Sequence, residues 1–267
     1  MNEPQENKIT YACFQMWEPF RQSLIEQHRF YIEQGKKKLL SQFENMEQEA
    51  DEAGTRWLED HAHRFDPDRH DPGGFEEDAY HVGIEYYQLL TELRDQTRLS
   101  LVAGMFHAWD KQLRGWLLKE IRHWHIGQHV TNRIWSASFE DIEEFLGGLG
   151  LAKKDSTYLK KLSACRYVVN VYKHGDGKSL EKLKEKHPEY LRTLFPGADP
   201  TDAIWLDHTH LAVSNEQLDE FSSSIVEFWQ SLPDSIYGNA GETTPRWFDT
   251  ALERDIGERP EAAQALF

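Results

Sequence analysis

Cysteine is scarce in this chain, because only Cys13 and Cys165 occur among its 267 residues. The two lie far apart and lack the spacing of metal ligands, which excludes a disulfide scaffold and a cysteine-rich zinc site. The chain also lacks any run approaching about 18 consecutive apolar residues, and it begins with the polar segment MNEPQENK. We therefore expect a cytoplasmic protein that does not enter a membrane.

Signatures of nucleotide-binding folds and of common hydrolases are also missing. The sequence contains no glycine-rich phosphate-binding loop, no nucleophile elbow and no strand pattern typical of a parallel sheet. Basic residues are relatively few, since 30 Lys and Arg stand against 46 Asp and Glu and leave a net charge of −16. This charge repels polyanions at long range and argues against tight nonspecific binding to duplex nucleic acid. Nothing in the chain indicates a cofactor.

Aromatic residues, in contrast, are plentiful. They make up 12% of the chain and include 9 Trp, which is enough for a sizeable core. Apolar residues recur at helical spacing along most of the sequence, and this pattern predicts an all-α fold. The longest predicted helix runs from Phe75 to about Trp124, and shorter amphipathic helices follow as far as Leu232-Pro233.

The same patterns predict three parts of the chain. Residues 1–64 form a long helical arm, residues 75–233 form a helical bundle domain, and residues 234–267 form an irregular tail. The boundary after the arm is a loop at residues 65–74, which is rich in Pro, Gly and Asp. The acidic stretch 44–60 contains one basic residue, Arg56, so we expect its outer face to be solvated.

Positive charge is concentrated in one window, from Lys153 to Arg192. This window contains 11 basic residues and 5 acidic ones. One interpretation is a pair of helices with ordinary solvated lysines. The other is a local face that binds anions.

One predicted helix within this window carries polar residues on one face and apolar residues on the other. Arg166, Asn170 and His174 lie four residues apart and therefore form one polar stripe, with successive members about 6 Å apart along the axis. A permanent cation, an amide and an imidazole that titrates near neutrality suit a phosphodiester. Leu162, Cys165, Val169 and Tyr172 recur on the other side of this helix and should face the core.

At these residues the chain resembles the HEPN superfamily, whose members are compact α-helical bundles, commonly dimers, and in many toxin and defence systems metal-independent ribonucleases. The resemblance covers roughly residues 75–233. It rests on the long helix, on the ending Asn170-x-x-x-His174-Gly175, and on the closing segment Phe228-Trp229-x-x-Leu232-Pro233. The family's site is an Arg, often followed by a polar residue such as Asn, and a His with four to six residues between it and the Arg. Aligned on Asn170 and His174, this pattern puts Val169 at the position of the Arg, and the nearest arginine is Arg166.

The resemblance implies a HEPN-like endoribonuclease that acts on RNA without metal or cofactor. Arg166 would bind the phosphate, Asn170 would be the polar partner and His174 would transfer the proton. Lys173 would add charge that binds the substrate. A homodimer would bring Arg166 of one chain towards His174 of the other, since the two lie about 12 Å apart on one helix. An antitoxin or another protein partner is also implied.

Further residues have weaker assignments. His107 and Asp110, on the long helix, would orient the site if that helix packs beside the Arg166 helix. Arg98, His107, Asp110 and Arg114 otherwise form a solvated face, with Asp110 and Arg114 spaced for an ion pair.

Three alternatives remain open. The Arg166 helix could be purely structural, with Arg166 paired to an acid and His174 at a helix end that favours a cation. The protein could be a non-catalytic helical interaction module. Two histidine groups could also converge on a metal, although we expect none to be bound; they are His123, His125 and His129, and Asp207, His208 and His210. His61, His63 and His70 are weaker candidates.

Overall fold

The computed structural model describes residues 12–66, 68–69, 71–153, 155–192, 205–237 and 243–258. These residues are mostly helical, which confirms the predicted all-α class. The helices are α1 (Glu18–Lys38), α2 (Met46–His61), α3 (Pro72–Ile121), α4 (Gln128–Ser136), α5 (Phe139–Gly148), α6 (Thr157–His174), α7 (Lys178–Lys186), α8 (Asn215–Ser231) and α9 (Arg246–Gly257). Two short strands, β1 (Ala12–Gln15) and β2 (Ser235–Tyr237), pair antiparallel. None of the described helices has the length and apolarity needed to cross a membrane.

The chain divides into two compact units. The first unit contains Met1–His28, Phe106–Ser163 and Glu220–Phe267, and the second contains Arg29–Met105 and Ala164–Asp219. The division falls within four helices, α1, α3, α6 and α8. The loop predicted as a boundary, at residues 65–74, leads from α2 into α3 inside the second unit. The predicted domains 1–64, 75–233 and 234–267 stay predictions.

Aromatic side chains build the core of the first unit. Trp109 meets Phe228 edge to face at 5.2 Å between ring centroids, and Phe145 lies 4.7 Å from Phe248. The indole N–H groups of Trp116 and Trp124 donate to backbone oxygens of β1, at Gln15 and Cys13. These bonds hold the strand against the aromatic core, where no periodic sequence pattern had predicted a strand.

The C-terminal segment is more ordered than predicted. Residues 234–267 were expected to form an irregular tail, but β2 and α9 lie within them. The expectation was wrong there because Phe248 and Ala251 are buried and attach α9 to the first unit. The segments 238–242 and 259–267 lie outside the described residues.

A buried carboxylate, Asp255 of α9, caps the N-terminus of α4. Its oxygens accept hydrogen bonds from the backbone N–H groups of His129 and Val130, at 2.8 and 3.0 Å, and from Nε2 of His125 at 3.0 Å. Any side chain at position 127 would collide with this carboxylate, so a glycine is required there. Burial raises the pKa of Asp255, but the hydrogen bonds from His125, Val130 and His129 outweigh it, and the net pKa is lowered.

In the second unit, α2 and α3 form an antiparallel hairpin with very close backbones. A Cβ built on Gly54 would lie 2.8 Å from the backbone oxygen of Ala79, and one built on Gly83 would lie 3.1 Å from that of Ala50. Small residues at these four positions allow this approach. The acidic segment predicted to be solvated thus has a packed inner face of small residues.

We expect Gly54→Ala to destabilise the protein, although alanine favours helix. The added methyl group meets a backbone carbonyl that cannot move alone, and overpacking costs about 1–3 kcal/mol. Gly115→Ala, also within a helix but with nothing near its built Cβ, should instead gain about 0.5–1 kcal/mol. Urea unfolding of both variants and the wild type measures these shifts, and equal shifts would contradict the close packing of α2 and α3.

Asp255→Asn should cost about 1–3 kcal/mol at neutral pH, because it weakens three buried hydrogen bonds to an ionised acceptor. A carboxylate with a lowered native pKa stabilises fully above its unfolded value of about 3.9, and this stabilisation is lost as the pH falls through the native pKa. The difference in unfolding free energy from the wild type should therefore shrink below about pH 4. Asp51→Asn, at an exposed position of α2, is the control. A difference that is constant with pH would contradict this role for Asp255.

Candidate functional site at the end of helix α6

Helix α6 buries the residues that the sequence assigned to its inner face. Leu162, Cys165 and Val169 are buried, as predicted, and Tyr172 is half-buried and shares a 2.7 Å hydrogen bond with Ser100. Burial raises the pKa of the Cys165 thiol, so this cysteine stays protonated and is not a nucleophile.

The polar stripe changes in exposure along the helix. Arg166 is half-buried, and its guanidinium carbon lies 4.5 Å from the centre of the Tyr167 ring. Asn170 is half-buried as well, whereas Lys173 and His174 are exposed in the last turn. The three residues of the stripe share one helix face, but the eight-residue step from Arg166 to His174 corresponds to about 12 Å along the axis.

The helix ends at a glycine in the left-handed region. Gly175 has a φ of +72°, and its N–H donates to the backbone oxygen of Val171 at 2.8 Å. A residue other than glycine is strained in this conformation, so the sequence specifies a stop immediately after His174. The chain then leaves the helix axis and presents Asp176 to the segment 205–213.

Asp176 holds the imidazole of His208 beside the end of α6. Its Oδ1 atom accepts from the backbone N–H of His208 at 2.8 Å and lies 3.0 Å from the ring Nδ1. The ring packs against Gly175, since a Cβ built there would lie 3.7 Å from the Cγ of His208. The backbone and ring hydrogen bonds from His208 lower the pKa of Asp176, so the carboxylate is ionised at neutral pH.

A second carboxylate–imidazole pair lies two residues further along. The Nδ1 atom of His210 is 2.9 Å from Oδ1 of Asp207. Hydrogen bonds from the Thr209 hydroxyl, from His210 and from the Thr209 N–H lower the pKa of Asp207 to about 2. The segment is anchored by an antiparallel bridge between Leu191 and Leu211.

This arrangement suits proton transfer. A carboxylate at Nδ1 of a neutral imidazole keeps the proton on that nitrogen and leaves Nε2 with a lone pair that accepts a proton. His208 is held in this way and is about half exposed, at 51% of its side-chain surface. The exposed His174 is a second imidazole, and it directly precedes Gly175, against which the His208 ring packs. A reaction that uses one general base and one general acid can employ two such groups.

His107 and Asp110 were proposed from the sequence as supporting residues of the site. His107 and Asp110 belong to the first unit, whereas Arg166, Asn170 and His174 belong to the second. Asp110 forms the predicted ion pair with Arg114 and accepts from its Nε atom at 2.9 Å. The prediction of a solvated face is wrong for Arg114, which is buried and donates to the backbone oxygens of Ile134 and Ala137 at the end of α4.

The two histidine groups do not form one metal site. His123, His125 and His129 belong to the first unit, and Asp207, His208 and His210 belong to the second. Across the described residues, no cluster of three or more His, Cys, Asp or Glu is arranged to hold a metal ion. His61 stacks on Trp57 and donates to its backbone oxygen, His63 is exposed, and His70 lies outside the described residues.

Of the 11 basic residues in the window from Lys153 to Arg192, four form ion pairs among the described residues. Lys161 pairs with Glu220, Lys182 with Glu185, Lys184 with Glu181 and Arg192 with Asp95, and Lys154 lies outside the described residues. Lys173 and Lys178, on either side of Asp176, are exposed and have no ion-pair partner within the described part of the chain. These two lysines could contribute to an anion-binding face at the end of α6.

Reasoning from the sequence missed the pairing of Asp176 with His208. In the sequence, Asp207, His208 and His210 were considered only as candidate metal ligands. Thirty-two positions separate the two residues, and no local pattern relates them. The available signal was the polar ending His174-Gly175-Asp176-Gly177, which presents an acid immediately after the helix stop.

Comparisons of the chain with protein-family models, with curated proteins and with solved structures found no match. The resemblance to the HEPN superfamily stays a prediction that rests on the residues of α6.

Proposed function

We propose that this protein is a HEPN-like, metal-independent endoribonuclease of the toxin or defence type. The observation that carries the proposal is the end of α6, where the exposed Lys173 and His174 precede Gly175 and the ring of the His208–Asp176 pair packs against that glycine. These groups supply two imidazoles and a positive charge at an open surface. That combination fits cleavage of a phosphodiester that carries its own nucleophile, the ribose 2′-hydroxyl.

Each of the two histidines carries out one of the two proton transfers. One imidazole takes the proton of the 2′-hydroxyl as O2′ bonds to phosphorus, and the other gives a proton to the departing 5′-oxygen, which leaves a cyclic phosphate. General acid–base catalysis of this kind contributes about 100- to 10,000-fold. Asp176 orients His208, Lys173 and Arg166 bind phosphates, and Asn170 supplies an amide to the bound strand.

A two-fold dimer completes the proposed site. Within one chain, Arg166 and His174 lie about two turns of α6 apart, which is long for a single scissile phosphate. Two copies of α6 related by a two-fold axis would bring Arg166 of one chain near His174 of the other. A protein partner such as an antitoxin would bind this surface and block the RNA.

The test is cleavage of structured and single-stranded RNA by purified protein in EDTA. His174→Ala, His208→Ala and Arg166→Ala should each lower the rate at least about 100-fold, because each removes a group that acts on the reacting phosphate or its proton. His81→Ala and Arg122→Ala, at exposed positions outside the site, are matched controls and should cleave like the wild type. Cleavage that disappears with EDTA, or that survives in all three site variants, would refute the proposal.

One observation favours the alternative of a non-catalytic interaction module. Helix α3 exposes five large apolar side chains in the second unit: Tyr80, Ile84, Tyr87, Leu89 and Leu93. Leu89 and Leu93 lie one turn apart on one face of this helix, whereas Tyr80, Ile84 and Tyr87 share the opposite face. Exposed apolar groups that share a helix face are typical of protein interfaces. A second copy of this chain is the proposed occupant, in line with the dimer expected from the sequence.

Light scattering coupled to size-exclusion chromatography tests this alternative. The wild type should be a dimer, and Leu89→Lys with Leu93→Lys should shift it to a monomer, because two charges would be buried without partners. Gln88→Lys, at a neighbouring exposed position, is the control and should leave the dimer intact. A monomeric wild type, or a dimer in the double variant, would contradict an interface on this face.

A further inference from the structure

A polar pocket lies in the second unit, and none of its lining residues belongs to the end of α6. It encloses about 310 Å³, which is at the lower end of the usual range for ligand pockets. Its polar lining comes from Lys36, Ser41, Glu44, Arg94, Arg98 and Asn215, and two apolar side chains complete the wall. Three of these groups are cations, whereas Glu44 is the one carboxylate.

Carboxylates outside the lining pair with the cations of this pocket. Asp95 is the shared acceptor of Arg94, Arg98 and Arg192, with the first two bonded to Oδ1 at 3.2 and 3.1 Å. Lys36 pairs with Asp219, and Glu216 interacts electrostatically with Arg98 and Lys36. Of the charged side chains that line the pocket itself, three are cations and one is a carboxylate.

The guanidinium of Arg98 is fixed before any ligand arrives. It is 9% exposed, its Nε donates to Oδ1 of Asn215 at 2.9 Å, and its Nη1 donates to the backbone oxygen of Val213 at 2.8 Å. Because these bonds already order the side chain, Arg98 loses less conformational entropy on binding a ligand than a surface arginine would. Since Oδ1 of Asn215 accepts from Arg98, the amide N–H groups of Asn215 are left to donate.

The electrostatic environment of Arg98 agrees with this geometry. Burial and then the nearby positive charge of Arg94 lower the pKa of Arg98, while Glu216 opposes the shift. An anion at the pocket would relieve the repulsion between the two guanidinium groups. Arginine pairs of this kind bind phosphate through parallel N–H donors.

We propose that this pocket binds the phosphate group of a small phosphate monoester. Arg94, Arg98 and Lys36 hold the phosphate oxygens, and the amide of Asn215 donates to one of them. Glu44, exposed at the rim, accepts hydrogen bonds from hydroxyl groups on the organic part of the ester. The site is distinct from the proposed nuclease site and does not depend on it.

Calorimetric titration of the full chain with inorganic phosphate, at matched ionic strength, tests the core of the proposal. Phosphate should bind saturably and raise the melting temperature, since a ligand that binds only the native state stabilises it. Arg94→Gln and Lys36→Gln should each weaken binding at least about tenfold, because each removes a charge-assisted contact. Lys37→Gln removes the same charge from the next residue of α1 and should bind like the wild type.

These variants are chosen because neither replaced side chain is buried, so the fold should survive. Phosphate that stabilises no more than chloride, or binding that falls equally in Lys37→Gln, would overturn the proposal. A second arm compares glycerol 3-phosphate with inorganic phosphate. Tighter binding of the ester that is lost in Glu44→Gln supports a monoester ligand, and equal or weaker binding overturns that assignment.

A third arm separates this ligand from the backbone of a nucleic acid. A single-stranded RNA with a 5′-hydroxyl carries phosphodiesters but no monoester. It should not compete with inorganic phosphate at this pocket. If it binds in a manner that depends on Arg94 while inorganic phosphate does not bind, the assignment to a small monoester is wrong.

Discussion

One buried carboxylate, that of Asp95 on α3, connects the parts of the second unit on which both proposals depend. It binds Arg98, which is hydrogen-bonded to the start of α8, and Arg192, whose backbone N–H donates to the oxygen of His210. Removing one member of a buried charge network typically costs about 3–5 kcal/mol, because the others lose their partner. The same carboxylate thus anchors the segment that carries His208 and fixes the arginines of the pocket.

The two candidate sites use carboxylates in opposite ways. At the end of α6, Asp176 and Asp207 each hold one imidazole by its Nδ1 atom. At the pocket, one carboxylate is shared by three guanidinium groups and fixes their positions. The first arrangement favours proton transfer and the second favours binding of an anion. Both occur in a chain whose net charge is −16, so local arrangement rather than total charge decides what each surface can bind.

Local sequence signals predicted most of the helices and their ends. Ser138 and Asp141 form a capping box at the start of α5, and Ser214 accepts from the N–H of Gln217 at the start of α8, so both starts depend on residues three positions apart. Apolar spacing predicted α3, and Gly175 ends α6 as expected. The misses, β1 with β2 and helix α9, lie where stability comes from distant partners. Ala12 pairs with Tyr237, and Asp255 of α9 caps α4. Because the partners are distant in sequence, neither contact can be recognised within a short window of sequence.

The sequence by itself determined the helical class, the polar stripe of Arg166, Asn170 and His174, and the stop after His174, because each depends on residues within a few turns of one helix. Tertiary structure alone decided that His208 joins Asp176, that Arg114 is buried against the end of α4, and that Arg192 joins the local arginines at Asp95. Helical periodicity acts over 3.6 residues, whereas these charged contacts join positions up to 97 residues apart and exist only once the hydrophobic core has brought them together.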